Sequence, residues 1–148
     1  METADGSKSD MEAKWGRLVA QRGFAQIPNY LLLLNQFIAE EHRLTPVESL
    51  VAIHLAASWW KKDTLPFPSM LTLSRRIGVS ERQVQRAINK LQKIGMVAKV
   101  KRRRAGIIES NAYDLSGLVG LLTAIAEQNP NLFPRNTGGA TPPEEAGA

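Results

Sequence analysis

The stretch Pro68–Gly95, PSMLTLSRRIGVSERQVQRAINKLQKIG, decides the fold. It reads as two short helices joined by a tight turn. Ser69 is placed to cap the first helix, where Met70, Leu73 and Ile77 recur at the i, i+3, i+7 spacing of one buried face. Gly78 ends that helix, because glycine takes the left-handed C′ conformation without steric cost. Ser80 opens the second helix. Gln83, three residues on, completes a capping box, in which side chain and backbone bond reciprocally.

In the second helix, Val84, Ala87, Ile88, Leu91 and Ile94 share one stripe when the chain is wound at roughly 100° per residue. The opposite face receives Arg82, Arg86, Asn89 and Lys93, with Gln83, Gln85 and Lys90 on the flanks. Such a front suits the major groove of DNA. Arginine can fork onto guanine O6 and N7, and Asn or Gln can bond adenine N6 and N7 in two places. A face that is merely solvated would carry mixed charge, yet Glu81 is the one acid here.

These residues carry a resemblance. Pro68-Ser69, Leu73, Gly78-Val79-Ser80, Val84-Gln85-Arg86, Leu91 and Gly95 resemble the winged helix-turn-helix pattern of bacterial DNA-binding proteins. Together with Tyr113-Asp114-Leu115-Ser116-Gly117-Leu118, they are similar to regulators and replication-initiation proteins carried on plasmids and phages. The resemblance covers roughly residues 45 to 120. Ser74 departs from it, standing where a small apolar alanine is usual. The fold implied is mainly α with a small β-hairpin wing.

The charge is local. The 148-residue chain has a net charge of +5, and a basic protein suits a polyanionic partner. Residues 75–104 hold eleven Lys and Arg against Glu81, a net +10, so the remaining residues sum to −5. There is no cysteine, which removes disulfides and thiolate metal sites. No apolar run approaches the roughly 18 residues of a membrane span, and the acidic start METADGSKSDMEAK lacks the apolar core of a signal peptide. A cytoplasmic location, associated with the nucleoid when bound to DNA, is expected.

Taken in order, residues 1–22 are expected to be flexible or weakly helical, with Met11 to Gln21 as the helical part and Gly23 as its break. Residues 23–128 form the winged domain with extra helices at each end. Within it, Phe24 to Ile27 reads as a short strand, and Asn29 as the cap of a helix reaching about Glu41 that faces Leu31, Leu34, Phe37 and Ile38 inward. Thr45-Pro46-Val47-Glu48 is a capping box with proline at N1, starting a helix to about Trp60. That helix should bury Val47, Leu50, Val51, His54 or Leu55, and Trp59. Met96 to Arg104 and Ile107 to Tyr113 flank Ala105-Gly106 as a hairpin, the wing. Ser116 or Asp114 caps a last helix carrying Leu118, Leu121, Leu122 and Ile125, which ends before Asn129-Pro130. Residues 129–148 read as a disordered tail.

Enzyme chemistry is not expected. The sequence has no P-loop, no HExxH and no nucleophile elbow. His54 lies among apolar neighbours, with His42 the one other histidine and no cysteine, which favours a structural role over metal binding. No cofactor and no metal are expected.

The expected partner is double-stranded DNA. Ser80, Arg82, Gln83, Gln85, Arg86, Asn89, Lys90 and Lys93 form the candidate reading helix. Ser69, Thr72, Arg75 and Arg76 are candidate backbone contacts, and Lys99, Lys101, Arg102, Arg103 and Arg104 are candidate wing contacts. The resemblance implies a transcriptional regulator of a mobile element, with a replication initiator or helicase-loader component as the alternative and a protein-interaction adaptor as a third. One reading helix covers few base pairs, so a homodimer is expected. Its candidate seams are Leu31 to Ile38 and Leu118 to Ile125, with Leu33 expected to be exposed in the first.

Overall fold

Thr45 begins the helical core in the manner its sequence predicts. Its hydroxyl accepts from the Glu48 amide at 3.2 Å, and its own amide donates to Glu48 Oε1 at 2.9 Å. The computed structural model describes residues 10–108 and 111–133. Its helices are α1 (Arg17–Ala20), α2 (Asn29–Leu32), α3 (Pro46–Ala57), α4 (Met70–Ile77), α5 (Glu81–Lys93) and α6 (Ser116–Gln128). Between α5 and α6 lie β1 (Ala98–Val100), β2 (Arg103–Arg104), β3 (Ile107–Ile108) and β4 (Ala112–Asp114).

Helices α3, α4 and α5 pack on one another, with α3 against α5 the most extensive contact. Their shared core holds Val51, Leu55, Leu73, Val84, Ile88 and Leu91, all shut off from water. Burying a side chain of this size contributes roughly 1.5–3 kcal/mol. The hairpin has two short ladders, β1 with β4 and β2 with β3, both antiparallel. Lys99 pairs with Tyr113 near its base, and Arg104 with Ile107 at its tip. Mainly helical with a two-stranded wing after a helix-turn-helix, this is a winged helix.

Several expectations are corrected. The N-terminal helix is interrupted at Gly16, whose φ of 82° separates a helical stretch at residues 10–15 from α1. Phe24 to Ile27 form no strand, since among the described residues no strand runs beside them to complete a ladder. The helix expected from Asn29 to Glu41 is only α2, followed by 3-10 turns at Leu34–Gln36 and Glu40–His42. Asn35 gives the physical reason. Its side chain accepts from the Leu44 amide at 2.7 Å and donates to the Leu44 carbonyl at 2.9 Å, a closed pair that turns the chain back. Asn29 is not a cap, because Pro28 precedes α2 with no side-chain bond. Leu31 and Leu34 are buried as expected, while Leu33 is half-buried and Leu32 is the residue left 61% exposed.

Helix α3 stops at Ala57, three residues early. The Trp60 indole donates to the Ala57 carbonyl at 2.7 Å and lies 86% exposed. Leu50 is also exposed, because Ala52 rather than Leu50 faces the core.

The last helix starts at Ser116 with Leu115, not Ser116 or Asp114, at the cap position; Asp114 ends β4 and accepts from the Ser116 amide at 2.8 Å. This bond holds the Asp114 carboxyl below its ordinary value. Residues 129–133, expected in the tail, fold back instead. The Tyr30 hydroxyl donates to the Asn129 carbonyl at 2.8 Å, and the Tyr30 ring meets Phe133 edge-on. The remaining tail from 134 and the N-terminal residues 1–9 lie outside the described residues.

The first turn of α6 rests on backbone. The Leu118 amide donates to the Met96 carbonyl at 3.0 Å, and a methyl group at Gly117 would overlap the Gly95 carbonyl oxygen. Gly120, one turn on, faces open space. Gly117→Ala should therefore destabilise the fold by about 1–3 kcal/mol through overpacking. Gly120→Ala should stabilise it by roughly 1 kcal/mol, the ordinary gain of alanine over glycine in a helix. Urea unfolding of the two variants checks the opposite signs, and equal shifts would show that the approach at Gly117 is not tight.

Candidate nucleic-acid interface

The turn between α4 and α5 is built by backbone chemistry. Gly78 takes φ 83° and ψ 33°, the left-handed conformation in which glycine alone is unstrained. Ser69 caps α4 by accepting from the Thr72 amide at 3.0 Å, and its hydroxyl donates to Thr72 Oγ1 at 2.9 Å. Ser74 is buried, but its hydroxyl donates to the Leu71 carbonyl at 2.9 Å, so the departure from alanine costs no unmet hydrogen bond. Ser80 and Gln83 close the capping box of α5. The Gln83 amide donates to Ser80 Oγ, and the Ser80 amide to Gln83 Oε1, each at 3.1 Å.

Along α5 the two faces separate cleanly. Val84, Ala87, Ile88 and Leu91 are buried. Arg82, Gln83, Arg86, Asn89 and Lys93 are exposed, and Gln85 is half-buried beside them. The Gln85 amide donates to Asn89 Oδ1 at 2.9 Å, four residues along the helix. That bond leaves the Asn89 amide as donor and the Gln85 carbonyl as acceptor, a paired donor and acceptor fixed at one place. Gln83 is already committed through its carbonyl to the cap, so only its amide group remains for a ligand.

Lys90 does not join this face. Half-buried, it turns toward α3 and pairs with Glu48 at 3.9 Å. The ammonium thereby ties α5 to the helix behind it. The pair went unseen in the sequence because Glu48 reads there as a capping residue and Lys90 as one of many flanking cations.

Around the helix, Arg75 and Arg76 stand exposed at the end of α4. In the wing, Lys101 and Arg103 are exposed, Lys99 is half-buried opposite Tyr113, and Arg104 lies in β2. Arg102 is placed differently from its neighbours. Its guanidinium lies 3.8 Å from the centre of the Phe67 ring, a cation–π contact that fastens the hairpin to the loop before α4. The Tyr113 amide donates to the Pro66 carbonyl at 2.9 Å and fastens the other strand to the same loop. Phe67 has no signal in the sequence, because the contact joins residues far apart along the chain.

Among the described residues no group of three or more His, Asp or Glu is placed to hold a metal ion, and no helix is long and apolar enough to cross a membrane. Residues 42–97 match a family described as a helix-turn-helix domain, a segment that spans α3, α4 and α5 and ends before the wing. A comparison with curated proteins finds no match. The helix-turn-helix match supports binding to DNA.

His54 lies half-buried on α3. Burial first, and then the Arg76 guanidinium, hold its pKa below the ordinary 6.5. The unfolded chain thus takes up a proton at higher pH than the folded one. The stabilising contribution is complete above about pH 6.5 and is lost as pH falls through that value toward the folded pKa. Thermal melts of the wild type should lose stability below pH 6.5, and His54→Gln should flatten that limb. Parallel pH profiles for the two proteins would exclude His54 as its source.

Proposed function

We propose that this protein binds duplex DNA in a sequence-specific way, with α5 in the major groove, and regulates transcription from a mobile element. The observation that carries the reading is the exposed Arg82, Gln83, Arg86, Asn89 and Lys93 face of a helix whose other side is fully buried. Arg86 sits at the middle of that face and is assigned to a guanine, read by two bonds to O6 and N7. The hydrogen-bonded Gln85 and Asn89 pair offers one donor and one acceptor side by side, the pattern that meets adenine N7 and N6. Arg75, Arg76, Lys101 and Arg103 supply charge to phosphates and set register without reading sequence. Lys90 holds the helix rather than the DNA. The reading assigns no reaction to the protein.

Two copies act together in this reading, since one helix specifies too few base pairs to select a site among a genome's competitors. The N-terminal arm supplies the surface in place of the two seams expected from the sequence, whose Leu31, Leu34, Leu118 and Ile125 lie buried in the core. Trp15, Leu18 and Val19 are all more than half exposed, and Leu18 reaches 79%. The same arm favours a second reading, a replication-initiation component in which those side chains dock on another replication protein. Sedimentation separates the two.

Arg86→Ala should weaken binding to the preferred site by about 1–3 kcal/mol and relax base preference at one position. Arg103→Gln should weaken specific and random duplexes alike and reduce the salt slope by roughly one phosphate contact. Competition binding measures both, and the assignment fails if Arg103→Gln loses sequence preference while Arg86→Ala keeps it. Wild type should sediment as a dimer and Leu18→Glu as a folded monomer with weaker site binding. A wild-type monomer that binds one copy per site would transfer the arm to the second reading.

A further inference from the structure

The tip of the wing carries a residue that a phosphate-binding hairpin does not need. Ile107 is 69% exposed, directly across from Arg104 and beside the exposed Arg103. Ala105 and Gly106 form the two-residue turn between them, with φ of 52° and 81°. Both are left-handed, as in the tight hairpin turn whose twist matches the strands. For Ala105 that conformation is strained, so a sharp tip is kept against a local cost. The result is a narrow, closed end bearing an exposed β-branched apolar side chain, with Arg103 and Arg104 in the facing strand. Isoleucine is stiff at χ1 and loses little freedom when it is inserted into a tight space.

From this juxtaposition we infer that Ile107 is a wedge. On the DNA-binding reading above, on which this inference rests, the tip enters the minor groove and Ile107 presses into a base step, so that the protein bends the DNA it holds. Cations alone at the tip would fit any phosphate surface. An apolar end in a hairpin that also exposes Arg103 and Lys101 fits a place with phosphates at the rim and stacked bases at the floor, which is a groove. Isoleucine is among the side chains that open base steps from the minor groove, and the kinks so made lie at about 20–90°. The hairpin is braced for the load. Arg102 on Phe67, close behind the tip, and the Tyr113 amide on Pro66, at the base, fasten the hairpin to one loop. The step entered would be a pyrimidine–purine step, since those unstack at least cost, and this adds sequence preference at a position that α5 does not touch.

The test uses the full chain. Duplexes retained by the wild type are first selected from a randomised pool at physiological salt, and the recovered sequence is placed at the centre of a short duplex carrying a dye at each end. Energy transfer between the dyes then reports the bend at saturating protein. Wild type should bring the ends together by a bend of about 20–90°. Ile107→Thr keeps the β-branch and the hairpin but removes the apolar end. It should lose most of the bend while holding affinity within about tenfold, the scale of one base-pair position. Ile107→Leu should restore the bend, and Arg103→Gln should weaken binding yet bend fully at saturation. A straight wild-type complex, or an Ile107→Thr complex bent like the wild type, overturns the wedge and leaves the major-groove reading standing. A pool that yields no preferred sequence overturns the DNA reading, and the wedge with it.

Discussion

The charged face of α5 has a direction only because the opposite stripe is buried without remainder. Val84, Ile88 and Leu91 have no exposed surface, and they meet Leu73 from α4 and Val51 and Leu55 from α3. Any rotation of the helix about its axis would bring those side chains into water at roughly 1.5–3 kcal/mol each. Arg86 and Asn89 are therefore held outward by the cost of moving the residues behind them. The capping box at Ser80, the left-handed Gly78 and the Lys90–Glu48 pair then fix where the helix starts and how it leans. Truncating Ile88 or Leu91 would cost about 2–5 kcal/mol, enough to threaten a small domain.

Local chemistry made much of this legible. Ser69, Thr45 and Ser80 cap three helices as their spacing predicts, Gly78 ends α4, and Ala105-Gly106 turns the wing. Each of these depends on residues at most four apart, where a single chain carries the whole signal. The failures occur where a distant partner decides. Asn35 stops a helix because it finds the Leu44 backbone, and the apolar run Leu31 to Leu34 gave no warning of that. Leu50 yields its core place to Ala52 through the geometry of packing against α5, and Leu33 turns partly inward while Leu32 is left out. Phe24 to Ile27 precede a proline that favours extended backbone, but among the described residues no strand pairs with them.

For the candidate site the same division holds. Composition and helical winding separate the polar face of α5 from its buried one, and Arg82, Arg86, Asn89 and Lys93 are exposed together on the polar face. They did not separate cations that face outward from cations with structural work. Lys90 is held by a carboxylate one helix away, and Arg102 by an aromatic ring in a loop. Both contacts are made within the protein, and they restrain the two elements, helix and wing, that carry the exposed cations. The local +10 charge thus has two uses, and only part of it is available to a polyanion.

If α5 meets base edges in the major groove, chemical protection of guanine will report it. Dimethyl sulfate methylates guanine at N7, the acceptor that faces the major groove. On a duplex selected by the protein, the wild type should protect guanine N7 at the position assigned to Arg86, and Arg86→Ala should restore its reactivity while the protein stays bound. A saturated complex in which every guanine N7 reacts as in free DNA would contradict the claim.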